Sequence, residues 1–187
     1  VQQGRFREFY QTNIDVFGSS APEADAEVLA VAADALTDLG LTGEDFEFRV
    51  SHRDILGGLV RSLAADPDAV DTAAAIRAVD KRAKVDDAEY VGLLSDAGLA
   101  RDTARDFDDL ISGVDTVDDL DAVADAGDES VEDAVENLRN VLAAADDFGA
   151  GEFCEVSLTT ARGLDYYTGV VFECFDSTGE VSRSVFG

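Results

Sequence analysis

The chain has 187 residues, room for one ordinary domain or two small ones at ~100–200 residues each, and 41 Asp plus Glu against 14 Lys plus Arg leave a formal net charge of -27. With 46% hydrophobic residues and its acids scattered among Val, Leu, Ile and Phe, it is neither a disordered chain nor an acidic tail. No apolar run approaches the ~20 residues of a membrane-spanning helix, no targeting segment is visible, and Cys154 and Cys174 are too few for a disulfide scaffold.

The acids read as a solvated coat. Its self-repulsion is relieved when salt shortens the Debye length from ~10 Å at 0.1 M to ~3 Å at 1 M. Lysine occurs only as Lys81 and Lys84, which fits the same expectation of a salt-rich cytoplasm. The chain opens on Val1-Gln2-Gln3-Gly4 without an initiator Met and stops at Ser184-Val185-Phe186-Gly187 in a strand-like run, so it is expected to be an internal piece of a longer protein.

From Arg5 to Gly18 residues alternate, Phe6, Tyr10, Ile14 and Val16 on one parity and Arg7, Phe9, Gln11, Asn13 and Asp15 on the other, which predicts a strand with one polar face. Pro22 and Glu23 then open a predicted amphipathic helix on Val28, Leu29, Ala32, Leu36 and Leu39, closed by Gly40. Phe46, Phe48 and Val50 alternate as a short strand, after which Ser51 is placed to cap a helix beginning near Arg53.

Residues 53–147 carry almost no strand signal. Their apolar runs, Ile55/Leu59/Leu63, Ala75/Ile76/Val79, Val91/Leu94, Phe107/Leu110/Ile111 and Val131/Val135/Leu138/Leu142, predict short packed helices. Breaks are expected at Pro67, Gly92 or Gly98, Gly113 and Gly127. Strand pattern returns in 153–158, 170–175 and 181–186, with Arg162 to Gly169 predicted as the tip of an antiparallel hairpin joining the first two. The fold class expected is α+β, a partial antiparallel sheet interrupted by an all-α insertion, divided as 1–52, 53–147 and 148–187.

Gln11 and Asp15 share a parity, roughly 13 Å apart at ~3.3 Å per residue. They could line a cleft floor, where an amide and a carboxylate suit an ammonium or an imidazole N–H, or simply form a solvated sheet face. Arg77, Lys81, Arg82 and Lys84 are the only basic cluster in the helical block; they could meet phosphates or pair with nearby aspartates. His52, the one histidine, stands apart from any Cys or His cluster, so no metal site is expected.

The most distinctive stretch is Ala161-Arg162-Gly163-Leu164-Asp165-Tyr166-Tyr167-Thr168-Gly169-Val170-Val171-Phe172-Glu173. It resembles the histidine-specific motif of histidyl-tRNA synthetases. Gly4 to Gly18 is similar to the end of class II motif 2 in the same family, and the helical block falls where that family carries its insertion domain. The resemblance implies a class II catalytic sheet and an activity joining histidine to tRNA(His) at the cost of ATP, with Mg2+ accompanying the nucleotide, in a cytoplasmic homodimer with no membrane association. Carried over residue by residue, it makes Arg162 the catalytic arginine, meeting the α-phosphate of ATP and the histidine carboxylate. It makes Gln11, Asp15, Tyr166 and Tyr167 the histidine pocket, puts Arg5, with Arg7 beside it, at the ATP, and turns Arg77, Lys81, Arg82 and Lys84 toward tRNA. A fixed guanidinium suits charge growing on phosphoryl oxygens because its donors are planar and bidentate. Motif 1, motif 3, the earlier motif 2 arginine and an anticodon-binding domain are not in the sequence, so this piece alone is expected to be inactive. The alternative is a catalytically silent paralogue that binds histidine to regulate its biosynthesis, which would not need Arg162.

Overall fold

The computed structural model describes residues 8, 10–161, 167–179 and 184–187. It is a mixed helix and sheet fold. Helix α1 spans Pro22–Asp38, strand β1 Phe46–His52 and helix α2 Arg53–Leu63. Helices α3 (Thr72–Val79), α4 (Asp87–Asp96), α5 (Arg101–Ser112), α6 (Leu120–Ala126) and α7 (Glu129–Asp147) follow, then strands β2 (Cys154–Val156) and β3 (Val170–Asp176). One-turn 3-10 helices at Arg82–Lys84 and Gly151–Phe153 join α3 to α4 and α7 to β2.

Proline in the first turn of α1, where no N–H partner is lost, and Glu23 and Asp25 beside the positive helix end start that helix as its sequence predicts. Its inward stripe is Ala26, Leu29, Ala32 and Ala33, small enough to let it lie against α7. Leu39 falls past the last turn and is exposed, a departure from the predicted stripe, because the chain reverses at Gly40, whose φ of 91° is left-handed.

Part of the aspartate coat has a second role. Asp71, Asp86 and Asp128 accept hydrogen bonds from the free N–H groups that begin α3, α4 and α7, with Asp71 to Ala74 and Asp86 to Glu89 both at 2.9 Å. Hydrogen bonds from Ser130 and from backbone amides hold the Asp128 carboxyl below the usual carboxylate value, and those from Thr116 do the same for Asp119. The helical block closes around Leu59, Leu94, Phe107, Ile111, Leu120 and Leu138, all fully buried. Of the two candidate breaks, Gly98 is the real one, at φ 113°, while Gly92 lies inside α4. Gly58 and Gly127 let α2 and the α6–α7 turn close on Val131: a Cβ at either would collide with that side chain.

The sheet corrects the sequence reading in three ways. Its order is β2-β1-β3, with β1 parallel to β2 and antiparallel to β3, so it is mixed where an antiparallel sheet is expected. β2 and β3 are not hairpin partners, because β1 lies between them and Phe48 registers with Cys154 on one side and Cys174 on the other. Tip chemistry in a loop looks the same whether its strands pair with each other or with a common neighbour. The third departure is the strand expected from Arg5 to Gly18: residues 5–7 and 9 lie outside the described residues, and residues 10–18 form no strand and are exposed, with Tyr10 at 107% and Phe17 at 89%. An alternating pattern makes a strand only when a neighbour takes its hydrogen bonds, and the described strands are paired among themselves. Of the predicted strand at 181–186, residues 181–183 lie outside the described residues; Phe186 forms an antiparallel bridge with Cys174, whose N–H donates to the Phe186 carbonyl at 2.8 Å.

β1 turns Phe46, Phe48, Val50 and His52 toward the helices. Phe46 stacks on Phe153 at 4.7 Å between centroids, and Phe48 meets the edges of Phe172 and Phe186. On the opposite parity Arg49 lies between Glu155 and Glu173 in register, pairs with Glu47 at 2.6 Å, and rests over the Phe175 ring at 4.3 Å.

Candidate active site

The distinctive motif re-enters the described structure at Tyr167, half-buried, and runs through Thr168 and Gly169 into β3 at Val170. Gly169 holds φ 68°, a conformation that an L side chain would strain. Its carbonyl accepts a hydrogen bond from the Arg53 N–H at 2.9 Å, and Val170 is the register partner of His52. The base of this segment is therefore bonded to the junction where β1 becomes α2.

That junction is almost closed to solvent, His52 at 4% and Arg53 at 6% exposure. His52, not Ser51, caps α2: its Nδ1 accepts from the Asp54 N–H at 3.2 Å, while Ser51 completes the β1 ladder and turns into the interior. Burial lowers the imidazole pKa, against the opposing pulls of Asp54, a hydrogen bond with Asn137, and Asp25. The neutral ring is the form that can accept the Asp54 amide. Asp25 is pushed up by its own burial, with His52 opposing. Beside the junction lies an open cavity of about 590 Å³, whose lining includes His52, Asp54, Arg61, Asn137, Thr168 and Gly169.

A larger cleft of about 760 Å³ opens between the β2 edge and helices α5 and α7, lined by Arg49, Thr116, Arg139, Asp146, Cys154 and Thr159 among others. Its lining includes none of the histidine-, ATP- or tRNA-binding residues expected from sequence. Burial pushes the Cys154 thiol up to about 12, so at neutral pH it is no nucleophile. Cys154 and Cys174 are both free. The smaller cavity is the better candidate because the end of the distinctive motif forms one wall.

Arg5, Arg7, Arg162 and Tyr166 lie outside the described residues. Gln11 and Asp15 are exposed, and the Gln11 amide donates to Asn13 Oδ1 at 2.7 Å. In the helical block Arg82 spans Asp87 at 3.0 Å and both Asp108 oxygens at 3.2 Å while lying 4.8 Å over the Tyr90 ring. Its guanidinium thus ties α4 to α5, and burial, with the charge of Asp108, raises the Tyr90 hydroxyl well above its usual value. Lys84 reaches the Asp80 carbonyl at 3.1 Å; Lys81 is exposed and Arg77 half-buried. Sequence reading gave the α2 cap to Ser51, although a histidine directly before a helical run was a local signal for it; what it could not show is that Asp25, Asn137 and Gly169, distant in the chain, meet at the same junction. Among the described residues no group of three or more His, Cys, Asp or Glu is arranged to hold a metal ion, and no helix is long and apolar enough to cross a membrane.

Solved structures share the fold, among them two histidyl-tRNA synthetase relatives. One, titled an ATP phosphoribosyltransferase regulatory subunit/histidyl-tRNA synthetase from Bacillus halodurans, superposes with a TM-score of 0.73 at 20% identity over 90% of this chain and 42% of that one. The other, a histidyl-tRNA synthetase from Nostoc, gives 0.72 at 23% identity over 87% and 38%. Among curated proteins, the histidine–tRNA ligase of Halorubrum lacusprofundi is 91% identical, that of Haloquadratum walsbyi 70% and that of Picrophilus torridus 33%, each across the whole chain. Several of these relatives come from halophilic archaea, in keeping with the acidic composition. The chain spans 42% of the length of these curated relatives. Since the histidyl-tRNA synthetase family model also matches residues 1–184, the chain belongs to the histidyl-tRNA synthetase family.

Proposed function

We propose that this chain is the part of a histidine–tRNA ligase that carries the histidine-specific motif, in a protein that activates histidine with ATP and transfers it to tRNA(His). The observation that carries this reading is Ala161–Glu173, which keeps the arginine, both tyrosines and the Thr-Gly pair in one run within a 91% match to a named ligase. A carboxylate of histidine attacks the α-phosphorus of ATP, pyrophosphate leaves, and the Arg162 guanidinium stabilises charge on the phosphoryl oxygens. Tyr166, Tyr167, Gln11 and Asp15 form the histidine pocket, where paired donors and acceptors reject analogues that would leave them unsatisfied. Arg5 meets the ATP phosphates, and Mg2+ arrives with the nucleotide.

Residues 53–147 are an insertion into a class II catalytic domain made by 1–52 and 148–187, and Arg77, Lys81, Arg82 and Lys84 face the tRNA. The working protein is a cytoplasmic homodimer. The test is histidine-dependent ATP–pyrophosphate exchange in concentrated KCl, on the protein taken at the full length of its curated relatives. Exchange that depends on Arg162 supports the ligase; histidine binding without exchange would make it the regulatory paralogue.

A further inference from the structure

The β1–α2 junction is where the helical block takes root, and it is also where the distinctive motif passes from its loop into β3. The first N–H groups of a helix have no partner within it and must find acceptors elsewhere. At α2 two of them do so in unequal ways. Asp54 donates to the side chain of His52, one residue before the helix, and Arg53 donates to the carbonyl of Gly169, far along the chain. The Gly169 carbonyl, the last before β3, is thus a ligand of the helix terminus, and His52, opposite Val170 in the ladder, fixes how that terminus is presented.

We infer that His52 is a positioning residue for histidine activation: by capping α2 it holds the Arg53 N–H against the Gly169 carbonyl and thereby anchors the Tyr167-Thr168-Gly169 end of the histidine-specific run. This rests on the ligase reading above. The chain of cause is short. Gly169 is two residues from Tyr167, three from Tyr166 and seven from Arg162. Its φ of 68° lies in the left-handed region that glycine enters without steric cost, and its carbonyl meets the Arg53 N–H. His52 is itself held from three helices, by Asp54 of α2, Asn137 of α7 and Asp25 of α1, with Arg61 and Asp133 also on the cavity wall. Removing the cap frees the start of α2 to shift, and a small shift transmitted to reacting groups can cost ~100-fold in rate.

The experiment is steady-state ATP–pyrophosphate exchange by the full-length protein with His52→Ala and His52→Asn, beside melting temperatures. Asn retains a capping acceptor of the right length. We expect His52→Ala to raise KM for histidine about tenfold and lower kcat, with KM for ATP moving less than about twofold, and His52→Asn to restore most of both. A role confined to stability would lower the melting temperature of His52→Ala and leave both kinetic constants alone, which would overturn the inference, as would equal rises in both KM values. Should His52→Ala not fold, Gly169→Ala strains the acceptor side of the same hydrogen bond and must give the same split between the two substrates; unchanged histidine kinetics there would also overturn it. If the unmodified protein shows no exchange at all, the ligase reading fails, an outcome distinct from normal exchange that is indifferent to His52.

Discussion

Helix α7 and the stretch 10–20 both have the pattern of an amphipathic element, and they end differently. Val131, Val135, Leu138 and Val141 recur at helical spacing and are buried against α1, α2 and α6. Tyr10, Ile14 and Val16 recur at strand spacing and face solvent. A helix satisfies its own backbone and needs neighbours only for one stripe of side chains, whereas a strand needs a neighbour for its hydrogen bonds before its side chains count. Periodicity is therefore a stronger promise in a helix than in a strand.

The difference can be pressed hardest where the strand region is proposed to work. Arg162→Ala in the full-length protein should cut histidine-dependent exchange by about 10²–10³-fold with little loss of stability, as expected when a donor to transition-state charge is removed. Gln11→Ala and Asp15→Ala should instead raise KM for histidine; unchanged KM would mean that this stretch is no more than a solvated surface. In the helical block the expected effect is on folding. Leu138→Ala, fully buried in α7, should cost about 2–5 kcal/mol in denaturant titrations in concentrated KCl, and a much smaller loss would mean the block is loosely packed.

At the junction the sign of the pH effect is fixed. His52 has a folded pKa below its usual 6.5, so between the two values the unfolded chain binds a proton that the folded one refuses. The stability this contributes is complete above 6.5 and is lost as pH falls through the folded value. Asp25, raised above 3.8, works in the opposite sense and at lower pH. Melting temperature should therefore fall from about pH 7.5 to about pH 5.5, and fall less in His52→Asn. The smallest effect is at Arg82→Ala, which removes the α4–α5 tie and should cost about 1 kcal/mol or less, shrinking further as salt is added.

Much of this protein was legible in its residues. The helix opening at Pro22, the strand on Phe46, Phe48 and Val50 and the helices of 53–147 follow from spacing and turn residues, because each is carried by neighbours in sequence. The strand partnership was not. Phe48 sits between Cys154 and Cys174 because β1 pairs with both flanks, and nothing within 153–175 records that β1 would come between them. Nor could the chain near 52 announce that the first N–H of its helix would bond to Gly169, since that contact exists only after more than a hundred residues have folded back. Local pattern determined the kind of elements, and the resemblance carried by particular residues the family; tertiary structure alone decided which elements meet, because pairing and burial are properties of two segments, and one segment's sequence carries only its own half.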